Sequence, residues 1–388
     1  MEFELSEEHR LIQETARRIA RERVAPRAAV MDETEEYPHD IFQVFRDAGL
    51  LGLTIPQEYG GSGAGFLALA LAVEEVAKYC CSSGLVLLLS GLSTQPILIG
   101  GTEPQKHEYA GRIARGECKG AFCLTEPNAG SDAANIQSRA SRDGDDYVLN
   151  GEKVFISGGS VADYVIFFAK TDPSAGTRGF SGFIVPTKAP GFVVPRTDRK
   201  MGVRGVPTAN IVLQDCRVPR ENLIGGEEGQ GFRHAMLTLN SLRPVVGARG
   251  LGLAEGALSY ALDYARKREA FGGPLTDLQA IQFMLAEMAI QIEAARWLVY
   301  RGAWLVDQGR CQREDAHFLS MAKAYATEMS VRVASDAMQI LGAQGYMRDH
   351  PLERHYRDAR QLMIVEGTSQ IQRLVIARAL LERDLVYA

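Results

Sequence analysis

Between residues 121 and 226 the helical spacing of apolar side chains stops, and short β-branched or aromatic runs take its place at 147–149, 164–168, 180–185, 192–194 and 211–213. Asp-Gly, Asn-Gly, Gly-Gly and Pro-containing segments separate these runs, as turns do between short strands. On both sides the pattern is helical. Ser6 caps an acidic first turn at Glu7 and Glu8, and Leu11, Ile12, Ala16, Ile19 and Ala20 then recur at helical spacing as far as Pro26. Further apolar stripes run through Ile41, Phe42, Phe45, Ala48 and Leu51, and from Leu67 to Val76. After Glu228 the spacing predicts long helices over 232–267, 278–306, 314–341 and 370–385 with short connectors, the signature of a bundle. The expected fold is mainly α with an inserted β domain: an N-terminal helical domain over 1–120, a middle antiparallel, barrel-like β domain over 121–226, and a C-terminal four-helix bundle over 227–388.

The 388 residues suffice for two to three domains. Lys and Arg total 43 against 48 Asp and Glu, a net charge of −5, which argues against a nucleic-acid partner because such binding needs a basic surplus to displace counterions. In the Leu-rich stretch the run from Leu85 to Leu89 is soon interrupted by polar residues, Gly and Pro, so a buried core helix is expected and no membrane span. The opening MEFELSEEHR is acidic and lacks an apolar leader core, so a cytoplasmic protein is expected. Six cysteines show no C-x-x-C pair or zinc spacing; they read as reduced core thiols, with no metal site and no motif for a catalytic cysteine. The glycines from Gly60 to Gly65 lack the Gly-Lys-Ser/Thr ending of a phosphate loop and are expected to join helices.

Three clusters carry more specific side chains than packing needs. The segment from Phe122 to Asp132, FCLTEPNAGSD, joins an apolar strand to a turn presenting hydroxyls, N–H groups and carboxylates. Such a turn can hold a polar ring edge or a phosphate, although an ordinary capped turn would look the same. Around Arg266 to Gln279 a helix ends in basic residues, which also suits plain C-capping, and Arg268 and Phe271 stand three apart as if on one helical face. In VEGTSQIQR, Glu366 follows the apolar run 362–365 directly before Gly367. A carboxylate in an apolar wall is pushed toward the pKa of a useful base; the alternative is a charge set favourably before a helix N-terminus.

Together these segments resemble the acyl-CoA dehydrogenase family, of short- or medium-chain type, over nearly the whole chain. The matching motifs are T-E-P-x-A-G-S-D at 125–132, F-I-S-G at 155–158, R-x-x-F-G at 268–272, Gln279, Q-I-L-G at 339–342 and E-G-T-S-Q-I-Q-R at 366–373. The resemblance implies FAD as cofactor and α,β-dehydrogenation of an acyl-CoA thioester. Glu366 would take the α-proton, the flavin the β-hydride, and an electron-transferring flavoprotein the electrons. It further implies that Phe122, Leu124, Thr125 and Ser131 line the flavin or thioester side of the cleft, that Phe155 and Ser157 cover the ring, and that Thr368 and Gln370 meet the adenosine and pyrophosphate part. Arg268, Phe271, Gln279, Gln339, Gly342 and Ala343 would reach FAD held mainly by a neighbouring subunit, so that a homo-oligomer, a tetramer built as a dimer of dimers, is expected.

The same resemblance places Ser131, Asn240, Arg243 and Gly367 against the CoA thioester, with a helix-surface charge as the plain alternative for Arg243. Leu85, Leu88 and Leu89 would border the acyl tail. Some relatives carry the catalytic carboxylate at the position occupied here by Leu242, which cannot act as a base. Three departures stand out: Phe155 where many members have Trp, Gly158 where many have a polar residue, and Ala343 in place of a second glycine, whose methyl would crowd a close backbone approach. An acyl-CoA oxidase or enoyl-CoA reductase would use the same residues, and a non-catalytic assembly protein could keep the fold.

Overall fold

The computed structural model describes residues 4–382; the predicted end of the last helix, 383–385, lies outside the described residues. In the front part, α1 (Glu7–Ile19), α2 (Ala28–Thr34), α3 (His39–Asp47), α4 (Gly65–Ala77) and α5 (Cys81–Gly100) are followed by the short turns α6 (Glu103–Gln105) and α7 (Gly111–Ala114). Ser6 caps α1 by accepting from the His9 N–H, as its sequence position predicts. The loop between α3 and α4 is a helix connector that needs glycine on steric grounds, because a Cβ on Gly61 would lie 2.0 Å from the Ile55 carbonyl oxygen.

Helix α5 is nearly all buried, and among the described residues it alone is long and apolar enough to cross a membrane by length and composition. Protein surrounds it instead. The polar residues that break its aliphatic run satisfy themselves within the helix: Ser90 Oγ donates to the Leu87 carbonyl at 2.7 Å, Ser93 Oγ to Leu89 at 2.8 Å and Thr94 Oγ1 to Ser90 at 2.7 Å. Back-bonding of this kind removes the cost of burying a hydroxyl.

The strand block folds into one curled seven-stranded sheet. Its strands are β1 (Gly120–Cys123), β2 (Arg139–Asp143), β3 (Asp146–Ser157), β4 (Tyr164–Lys170), β5 (Phe180–Pro186), β6 (Phe192–Asp198) and β7 (Thr208–Pro219), in the order β1-β4-β2-β3-β7-β6 with β5 on β4. Pairing is antiparallel except where β4 meets β1 and, at a single pair, β2. Asn150-Gly151, expected as a turn, is a bulge inside the long β3. Glycine is required there because a Cβ would sit 2.1 Å from Ser138 Oγ, and the Asn150 amide bridges to Asp215 instead of closing a hairpin.

The back part holds α8 (Gly231–Lys267), the ribbon β8 (Glu269–Ala270) and β9 (Gly273–Pro274), α9 (Gln279–Asp307), α10 (Ala316–Leu341), α11 (Leu352–Leu362) and α12 (Ser369–Glu382). Helix α8 is the hub, packing on α10, α9, α4 and α5. It runs unbroken through Pro244 for 37 residues. Two glycines let it approach α4: a Cβ on Gly252 would lie 2.0 Å from the Glu74 carbonyl oxygen, and one on Gly256 2.0 Å from that of Lys78. At the same crossing the buried Glu74 carboxylate accepts from Arg296 at 2.6 Å and Tyr300 at 2.8 Å, tying α9 to α4. All six cysteines are free, five of them buried.

Candidate active site

Helix α11, absent from the sequence expectation, ends in a tight turn. The Gln361 carbonyl accepts from the N–H groups of Ile364 at 2.9 Å and Val365 at 3.1 Å, and the Ser369 N–H reaches the Met363 carbonyl at 3.0 Å. Glu366 and Gly367 then take consecutive left-handed conformations, φ 52° and 93°. A glutamate at positive φ is strained, and such strain persists where surrounding contacts impose it. Two buried side chains do so. Lys323 Nζ donates to the Gly367 carbonyl at 2.8 Å, and Gln372 Nε2 donates to the carbonyls of Gly367 at 2.9 Å and Glu366 at 3.3 Å.

The kink leaves the reactive groups of Glu366 unspent. Its Oε2 is fully buried with no hydrogen-bond partner, and its N–H takes part in no hydrogen bond among the described residues. Burial raises its pKa to about 7, against the opposing pull of Arg249, Lys323 and Arg243 in that order. The apolar wall expected from the sequence is therefore only half of the environment; three buried cations make up the rest.

Arg243 is 6% exposed, not a helix-surface charge. Its Nη1 donates to Asn240 Oδ1 at 2.7 Å and Ser320 Oγ at 3.2 Å, its Nε is buried without a partner, and desolvation lowers its pKa to about 10. Arg249, wholly buried, reaches among the described residues only the Cys81 carbonyl, Cys81 Sγ and Gln361 Oε1, each at 3.4 Å. Lys323, also wholly buried, is pushed down to about 8 by desolvation. Sequence reading found Glu366, Arg243, Asn240 and Gly367 but missed Ser320, Lys323 and Arg249. The available signal was a charged residue on the apolar stripe of a long helix, Lys323 in α10 and Arg249 in α8.

Phe122 lies in β1, and Leu124 and Thr125 follow it directly. The Leu124 carbonyl accepts from Lys153 Nζ at 3.1 Å and that of Thr125 from the Val154 N–H at 2.9 Å, so the segment is laced to β3. One residue further a second bulge turns Phe155 to φ 60° and leaves its ring 66% exposed, with Ser157 half-buried beyond it. Ser131 is exposed in the turn. The Glu126 carboxylate turns inward, accepting from Ser138 Oγ at 2.6 Å and from the buried Lys153 at 2.7 Å. That acid is structural, which corrects the expectation for Glu126, while Asp132, the turn's other carboxylate, is exposed.

Arg268, Gln339, Gly342 and Ala343 come together in an open cleft of about 710 Å³ with Lys267 and His350. Gly342 has φ 59° at the end of α10, and Ala343 is exposed beside it. Phe271 and Gln279 do not line this cleft: Phe271 sits 93% exposed at the ribbon tip with φ 56°, and Gln279 opens α9. The shared helical face expected for Arg268 and Phe271 does not exist, because α8 ends at Lys267 and Arg268 is extended at ψ 122°. Thr368 Oγ1 accepts from the Ile371 N–H at 3.3 Å at the start of α12, with Gln370 exposed next to it. Of the expected tail residues, Leu89 borders a small cavity of about 20 Å³ with Ser90, Tyr37, Phe42 and Gly158, whereas Leu85 and Leu88 are buried but do not line it. Among the described residues no group of three His, Cys, Asp or Glu side chains could hold a metal.

Three family models match successive parts of the chain: the acyl-CoA dehydrogenase N-terminal domain over 6–117, the middle domain over 121–216 and the C-terminal domain over 229–381. The chain is 44% identical to the probable acyl-CoA dehydrogenase YngJ of Bacillus subtilis over 98% of its own length and 100% of the relative's. Its fold matches butyryl-CoA dehydrogenase from Megasphaera elsdenii with TM-score 0.95 and 39% identity, covering 98% of this chain and 100% of that one. A chain in a structure described as the electron transferring flavoprotein of Acidaminococcus fermentans matches with TM-score 0.96 and 42% identity, covering 99% and 100%.

Proposed function

Because the chain belongs to the acyl-CoA dehydrogenase family, whose members are FAD-dependent enzymes, we propose that it converts an acyl-CoA thioester to the 2-enoyl-CoA with Glu366 as the base. The observation that carries this reading is the unspent, buried Glu366 oxygen held among three buried cations on a kinked turn. Removing an α-proton from a thioester needs a desolvated carboxylate within reach, and a donor to the carbonyl oxygen where enolate charge develops. Glu366 offers both, the carboxylate from its side chain and the donor from its own N–H. Arg249, Lys323 and Arg243 offset part of the desolvation, so that a substantial share of the carboxylate is ionised near pH 7. Asn240, Arg243, Ser131 and Gly367 are the assigned contacts to the CoA thioester, and Leu89 is the assigned border of an aliphatic tail.

The residues present fit FAD. The ring of Phe155 stands uncovered on strained backbone beside Leu124, Thr125 and Ser157, as suits a residue that packs on a planar apolar group. Thr368 and Gln370 sit at the N-terminus of α12, and Arg268 lies in the wide cleft with Gln339, Gly342 and Ala343; both places favour pyrophosphate and adenosine. When bound, FAD supplies the acceptor for the β-hydrogen with its electron pair.

The reading extends to an electron-transferring flavoprotein as acceptor, supported by the match to a chain in the Acidaminococcus structure. It extends also to a homotetramer. Phe283, Ile290, Trp297 and Trp304 recur every seven residues along α9 and are 61%, 62%, 42% and 48% exposed. A seven-residue apolar repeat on an outward helix face is the pattern by which helices pair.

The rate of flavin reduction by acyl-CoA tests the base assignment. Only ionised Glu366 accepts a proton, so the rate should fall about tenfold per unit below pH 7 and level off above about pH 8. A profile flat from about pH 5 to 9, read by stopped-flow bleaching of the flavin, would remove Glu366 from this role.

A further inference from the structure

Lys323 is a lysine with no exposed surface, flanked on its helix by Ala322 and Ala324. No carboxylate oxygen lies within 4.0 Å of its ammonium among the described residues, where its hydrogen-bond acceptor is one carbonyl, that of Gly367 at 2.8 Å. Burying an ammonium without an ion-pair partner is costly, and an apolar side chain of similar volume would stabilise the helix packing more. That expense falls on the peptide next to Glu366. The other two cations are engaged elsewhere, Arg243 with Asn240 and Ser320, and Arg249 with Cys81 and Gln361. Of the three, only Lys323 bonds directly to the turn that carries the base.

Resting on the reading of Glu366 as the base, we propose that Lys323 is a positioning residue: from α10 its buried ammonium pins the peptide after Glu366 in its left-handed turn and, as a neighbouring cation, holds the carboxylate ionised. Two effects are thereby joined. The bond to the Gly367 carbonyl helps keep φ positive at Glu366 and Gly367, the conformation in which the Glu366 Oε2 and N–H are both left without partners. The charge offsets part of the desolvation that burial imposes. The ionisable groups around the pair are Arg243 and Arg249 from α8, acting on Glu366, and Glu328 from α10, acting on Lys323; Glu328 is itself paired with Arg373 of α12. The Gln372 amide shares the pinning but brings no charge.

Infrared difference spectroscopy of the FAD-loaded protein can follow the protonated Glu366 carboxyl through a pH titration without any turnover. The band is assigned by its absence in Glu366→Gln. Lys323→Gln keeps a donor for the Gly367 carbonyl but no charge, and Lys323→Met removes both. Since each removes a desolvated charge, folding should survive, and either folded variant decides the matter. The expected result is a titration midpoint raised by about one pH unit or more in both variants, with the acid limb of flavin reduction moving by the same amount. A midpoint unmoved from wild type, even with a slower rate, would make Lys323 a packing residue and overturn the proposal. If instead Glu366→Gln still bleached normally with acyl-CoA, the base assignment would fail while the midpoint comparison still stood.

Discussion

Glu366→Gln should give a yellow protein that retains FAD, binds acyl-CoA and reduces its flavin about 10²- to 10⁴-fold more slowly than wild type. The two side chains are nearly isosteric, and the bonds that hold the turn, from Lys323 and Gln372, go to backbone carbonyls that the substitution does not touch. The N–H that would meet the thioester carbonyl remains. What disappears is the proton acceptor, so the loss should fall on the reductive step and not on the affinity for acyl-CoA. Anaerobic stopped-flow measures the first and a spectral binding titration the second. Undiminished reduction would mean that another group takes the α-proton. Leu242, at the position where some relatives carry a carboxylate, is buried against α5 and has no chemistry to offer.

Gly252→Ala should destabilise the protein by about 3 kcal/mol or more. Its new methyl would lie 2.0 Å from the Glu74 carbonyl oxygen, and neither partner can yield, since one is the backbone of α8 and the other that of α4. Separating the helices would also pull Glu74 away from Arg296 and Tyr300, leaving a buried carboxylate short of partners. Gly130→Ala is the control: a Cβ there meets nothing within 4 Å, and its effect should stay within about 0.5 kcal/mol. Denaturant unfolding monitored by circular dichroism compares them. Equal midpoints would show that the crossing of α4 and α8 is looser than the backbone geometry states.

The three-part succession of helices, strands and helices was legible because apolar periodicity is a local property and changes abruptly at the strand block. The long helices were placed within a residue or two at most ends, α8 at 231–267 against an expected 232–267. Helix α11 escaped because its sequence, LERHYRDARQL, is polar and charged; it is held by Arg357 pairing with Asp32 and Glu353 and by burial of Leu352, Ala359 and Leu362. Asn150-Gly151 was misread because the same dipeptide serves a hairpin turn or a bulge, and a contact with Ser138, distant in sequence, decides which.

Glu366 was found because its own neighbours in sequence make it conspicuous. Lys323 and Arg249 were not, since a charge on the apolar stripe of a helix marks a buried group but not its partners, which appear only where α8, α10 and the turn after α11 converge. The inward turn of Glu126 toward Lys153 is another long-range contact, and it converts a candidate ligand group into a strut. The seven-residue stripe on α9 was present in the sequence all along, but it reads as core until the structure shows that it faces outward.

The most direct measurement is anaerobic mixing of the FAD-loaded wild-type protein with a series of straight and branched saturated acyl-CoAs, following flavin absorbance and analysing the thioester product. The structure predicts that at least one of them bleaches the flavin fully, with one 2-enoyl-CoA formed per flavin reduced. A flavin that stays oxidised across the whole series, in a protein shown to bind those thioesters, would contradict the assignment of this site to α,β-dehydrogenation.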